Sequence, residues 1–89
     1  MERAVVDTED IYRESYAALG DSAEAAELVE ALVSRIRYYA DLGLRVPGRK
    51  YSFMKMRSWN GRIALRMYYW FNAETAYLLR VEPYDELDD

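Results

Sequence analysis

Eighty-nine residues, 52% of them apolar and 31% charged, are too apolar for a disordered chain and suit one small domain with a thin core. With neither cysteine nor histidine, the chain excludes disulfides, zinc-thiolate centres, histidine-ligated haem and triads built on either residue, so a general acid or base has to be a carboxylate, lysine or tyrosine. The net charge of −4 is segregated: residues 1–44 hold ten acids and four bases, residues 45–80 one acid and eight bases, and residues 81–89 five acids and no base. Met1 to Tyr12 is too charged for a signal peptide, and the longest apolar run, Met67 to Phe71, is too short to span a bilayer. A cytoplasmic chain without a membrane partner is expected.

Arg3 to Val6 predicts a short edge strand, followed by Asp7 and Thr8, either of which can cap a helix. That helix places Ile11, Tyr12, Ser15, Tyr16 and Leu19 on one stripe and stops at Gly20. Asp21 with Glu24 three residues on is a reciprocal capping pattern for a second helix. Its buried face is predicted to hold Leu28, Val29, Leu32, Val33, Ile36, Tyr39 and Ala40, with Gly43 as its stop. With only Gly20 between them, the helices (7–43) are expected to form an antiparallel hairpin. Leu44 to Lys50, with Pro47-Gly48, reads as a loop.

Three alternating runs follow, Tyr51–Arg57, Arg62–Phe71 and Thr75–Glu82, joined at Asn60-Gly61 and at Asn72-Ala73-Glu74. Such spacing predicts an antiparallel meander. Strict alternation assigns Met54, Met56, Ile63, Leu65, Met67, Tyr69, Tyr77, Leu79 and Val81 to the face under the helices. Phe53, Lys55, Arg57, Arg62, Arg66, Tyr68, Trp70, Leu78 and Arg80 then lie on the other. The fold class is α+β: an N-terminal strand and a helical hairpin on one face of a C-terminal antiparallel sheet (51–82), with an acidic tail (83–89).

The basic, aromatic face is the first candidate site. Guanidinium groups bind phosphates and aromatic rings stack on unpaired bases; equally, arginines on a solvated face keep a protein soluble and pair with acids. Most of the nine tyrosines read as packing residues, while Tyr84 follows the last strand, where its hydroxyl can project over the basic face. The tail acids Glu82, Asp85, Glu86, Asp88 and Asp89 lack the spacing and glycine of a calcium loop and read as solvated. Isolated glycines give no phosphate-cradling loop. No metal or other cofactor is expected.

The order of elements, with Lys55-Met56-Arg57-Ser58 followed by Arg62-Ile63, resembles the RelE/ParE superfamily of small toxins from toxin-antitoxin pairs. In RelE-type members, ribosome-dependent cleavage of mRNA relies on basic strand residues with an arginine and a tyrosine after the last strand, and needs no metal. Carried across, Lys55 falls on a strand lysine and Arg62 on the strand arginine; a second strand lysine falls on Phe53, and the later arginine falls near Tyr84. The resemblance thus implies Lys55, Arg62 and Tyr84 as catalytic candidates, Arg62 and Lys55 stabilising charge on the scissile phosphate and Tyr84 assisting proton transfer. Phe53, Arg57, Arg66, Tyr68, Trp70 and Arg80 are the binding candidates. ParE-type members inhibit DNA gyrase without those residues. The expected partners are an antitoxin, or RNA and the ribosome. The alternative from a different class is a non-enzymatic interaction module of phage or plasmid origin, a homodimer using Trp70, Tyr68 and Phe53 as hot spots.

Overall fold

In the computed structural model, which describes residues 2–8 and 10–84, the elements run β1 (Ala4–Asp7), α1 (Asp10–Ala17), α2 (Ala23–Tyr39), a 3-10 turn (Ala40–Leu42), β2 (Leu44–Arg45), β3 (Ser52–Arg57), β4 (Ala64–Phe71) and β5 (Thr75–Pro83). The chain is α+β. Five strands form one mixed sheet in the order β1-β5-β4-β3-β2, with β1 parallel to β5 and every other neighbour antiparallel. The segment expected as a plain loop contributes β2, which pairs Leu44 with Phe53 and Arg45 with Ser52.

The second helix begins one residue later than the Asp21 pattern predicts. Ser22 is the cap, and its hydroxyl accepts from the Ala25 N–H at 3.2 Å. From there Ala25, Leu28, Val29, Leu32, Ile36 and Ala40 are buried against the sheet and Val33 is half-buried, but Tyr39, the last residue of α2, is exposed and not part of the buried face the spacing predicts. Leu32, Ile36, Leu65, Met67, Tyr69 and Val81 are the largest fully buried side chains. They place the core between α2 and the centre of the sheet.

The first helix lies along β5 and starts at Asp10, while Asp7 belongs to β1. β1 covers β5 only as far as Leu78. There Thr8 donates to the Leu78 carbonyl from both its N–H (3.0 Å) and its hydroxyl (2.7 Å), and further on the Val81 N–H donates to Ser15 Oγ (3.0 Å). Side chains thus close a strand edge that would otherwise stay open to pairing. Tyr12 reaches the core, whereas Ile11 and Tyr16 of the predicted stripe are exposed.

The alternation of β5 breaks once. Tyr68 pairs with Arg80 but Tyr69 pairs with Leu78, so Leu79 is an extra residue, a β-bulge. Ala76, Leu78 and Val81 therefore face the core, Tyr77 and Leu79 are half-buried, and Arg80 is exposed. This corrects the strict-alternation assignment, which puts Tyr77 and Leu79 inside and Leu78 outside. Arg62 also moves: β4 begins at Ala64, and Arg62 belongs to the preceding turn, its N–H donating to Asn60 Oδ1 at 3.0 Å. The tail acids Asp85, Glu86, Asp88 and Asp89 lie outside the described residues, while Glu82 and Pro83 are part of β5.

Candidate functional site

Strand register arranges the outer face of the sheet in rows, because directly opposed residues share a face. One row is Lys55, Arg66 and Glu82; the next is Leu44, Phe53, Tyr68 and Arg80; another is Trp70, Tyr77 and Val6. Charge is concentrated at the end nearest the β3–β4 turn and apolar surface at the opposite end.

Glu82 is the hub of the charged end. Its Oε1 accepts from Arg66 Nη2 at 2.9 Å and from the Tyr68 hydroxyl at 3.3 Å, and its Oε2 lies 3.3 Å from Arg80 Nε. Burial pushes the Tyr68 phenol above its ordinary pKa; the Arg66 charge opposes this and Glu82 adds to it. Around this hub the cations stand over rings. Lys55 Nζ is 5.2 Å from the Tyr84 ring and 6.0 Å from Phe53, while the Arg66 guanidinium is 5.5 Å from Tyr68, 5.9 Å from Phe53 and 6.0 Å from Tyr84. Tyr68 also meets Tyr51 edge-on, at 5.9 Å between ring centroids.

Beside the cluster runs a trough of about 700 Å³. Phe53, Tyr68, Leu79 and Arg80 line it together with Ile11 from α1 and Val46 and Tyr51 from the β2–β3 connection. The bulge helps to build it, since it turns both Leu79 and Arg80 outward.

Of the residues singled out in the sequence, the structure brings together Lys55, Tyr84, Phe53, Arg66, Tyr68 and Arg80. Trp70 stands apart against Tyr77, with ring centroids 5.2 Å apart. Arg57 is at the exposed end of β3, and Arg62 is in the turn. Among the described residues no group of three or more carboxylates is placed to hold a metal ion, and no helix is long and apolar enough to cross a membrane.

Two features escaped the sequence reading. Glu82 reads in the sequence as one of the solvated tail acids, whereas it lies beyond the bulge in β5, opposite Arg66 on the outer face. Trp59, 96% exposed, is the most open large apolar side chain described; its signal was a tryptophan beside Asn60-Gly61, where a turn ordinarily carries polar residues. No family model, curated protein or solved structure matches this chain.

Proposed function

We propose that this chain is a RelE/ParE-like toxin, or a relative of one that has kept binding and lost cleavage, and that its outer sheet face holds an acidic, amphipathic protein segment of the kind an antitoxin supplies. The observation carrying the reading is the junction of the aromatic trough with the cations Lys55, Arg66 and Arg80. Apolar side chains of a bound segment fill the trough and its carboxylates meet the cations at the rim. Glu82 within the cluster argues for a peptide over a nucleic acid, because a continuous run of phosphates would have to pass this carboxylate.

The test is titration with a synthetic acidic peptide carrying leucines and phenylalanines, beside a single-stranded RNA oligomer. Saturable peptide binding, weakened tenfold or more by Arg80→Glu or Leu79→Glu, is expected. Tighter binding of the RNA, with a steep salt dependence, would transfer the surface to nucleic acid.

A ribonuclease reading draws on the closeness of Lys55 to Tyr84. In it, growth inhibition on expression depends on Arg62, Lys55 and Tyr84; inhibition that survives Arg62→Ala, or a wild type that inhibits nothing, would end it.

A further inference from the structure

The turn between β3 and β4 presents Trp59 on a braced support. Ser58 Oγ donates to Asn60 Oδ1 at 2.7 Å and accepts from the Ile63 N–H at 3.1 Å, the Ser58 N–H donates to the Ile63 carbonyl at 2.8 Å, and the Gly61 N–H donates to the Ser58 carbonyl at 2.9 Å. Gly61 takes φ +74°, a left-handed conformation suited to glycine. The turn is also tied to α2, where Asn60 Nδ2 donates to Glu24 Oε2 at 3.2 Å. A rigid loop holding a bare indole in water has little left to order when a partner arrives, and this preorganisation favours association.

Next to the indole is a groove of about 240 Å³, walled by Leu28, Ala31 and Met56, with Trp59 itself on one side and Glu24 and Glu27 along the α2 margin. The patch thus carries a knob and a hollow, together with charges of both signs: Glu27 on the helix and Arg57 in the groove wall, with Arg62, exposed and in no ion pair among the described residues, in the turn that carries Trp59. A two-fold interface demands a surface complementary to itself. A lone knob, or a patch of one sign, would not meet that demand.

We infer that the partner of this patch is a second copy of the chain. In the pair, Trp59 of each protomer enters the groove beside the other's Leu28 and Met56. Because Trp59 also walls its own groove, the two indoles pack against each other. Glu27 of each copy faces Arg62 of the other across the rim. The outer sheet face stays free in this dimer, so the inference stands independently of the proposed function.

Sedimentation equilibrium over a wide concentration range, with indole emission recorded in a Trp70→Phe background so that Trp59 alone reports, tests the inference. The expected result is a concentration-dependent dimer whose formation shifts the emission to the blue. Trp59→Ala, a change at a solvent-exposed position, keeps the circular dichroism of the wild type and weakens the dimer tenfold or more. Glu27→Arg and Arg62→Glu each weaken it, and the two combined in one chain restore much of the loss. A wild type that stays monomeric throughout, a dimer indifferent to Trp59→Ala, or a double reversal no better than either single change would overturn the inference.

Discussion

The hydroxyl of Tyr69 occupies the space where a Cβ on Gly43 would sit. Tyr69 crosses the core from β4 and donates to the Ala40 carbonyl at the end of α2, so the glycine is the opening through which the centre of the sheet ties to the helix. Gly43 itself is extended, at φ −69° and ψ 162°, a conformation open to any residue. Space for the phenol, and no left-handed helix stop, is what requires glycine here.

Gly43→Ala should therefore destabilise the protein by about 1 to 3 kcal/mol, the usual cost of forcing an extra methyl into a packed site. Tyr69→Phe removes the opposing oxygen and leaves the Ala40 carbonyl without that donor, at roughly 1 kcal/mol or more. Combined, the two changes should cost clearly less than their sum. Urea unfolding of the four proteins of this cycle measures the coupling.

The bulge at Leu79 reverses the usual order of cost between neighbouring leucines. Leu78→Ala opens a cavity in the core and should cost about 2 to 4 kcal/mol, whereas Leu79→Ala, on the outer face, should cost under about 1.5 kcal/mol. Equal losses, or the opposite order, would contradict the placement of Leu78 in the core and Leu79 outside it.

Burial pushes the phenols of Tyr12 and Tyr69 up to about 12, with Tyr16 and then Asp7 adding to the effect at Tyr12. A folded-state pKa above the unfolded value near 10 means that the folded form holds these protons longer. The stabilisation is complete below pH 10 and is lost as pH rises towards 12, by on the order of 2 to 3 kcal/mol for each tyrosine. Tyrosinate absorbance should show these phenols ionising only as the protein unfolds, and Tyr69→Phe should flatten the alkaline fall in stability.

Ser22→Ala removes the oxygen that receives the Ala25 N–H and should cost about 1 kcal/mol. Asp21→Ala, at the position the sequence pattern favours, should cost less. Thermal unfolding of both variants separates the two assignments.

The periodic parts of the molecule were legible from sequence. Leu28, Leu32 and Ile36 recur at helical spacing, and Met54, Leu65 and Met67 alternate as strand residues, because one buried face imposes each period. What was not legible depends on partners distant in the chain. The extra residue in β5 shows only when Tyr69 is seen opposite Leu78, and the need for glycine at 43 shows only when Tyr69 arrives beside it. At the candidate site, Phe53, Lys55, Arg66 and Tyr68 were readable from alternation alone. Glu82 as their hub was hidden, because its register with Arg66 spans sixteen residues and a turn.

The most direct test is the pattern of chemical-shift changes in isotope-labelled protein as the acidic leucine- and phenylalanine-bearing peptide is added. The outer face predicts changes centred on Phe53, Tyr68, Leu79, Arg80 and Tyr84, with little along the exposed side of α2. Changes confined to α2 or to the Trp59 turn, or a spectrum that saturating peptide leaves unmoved, would contradict the assignment of this face as the binding surface.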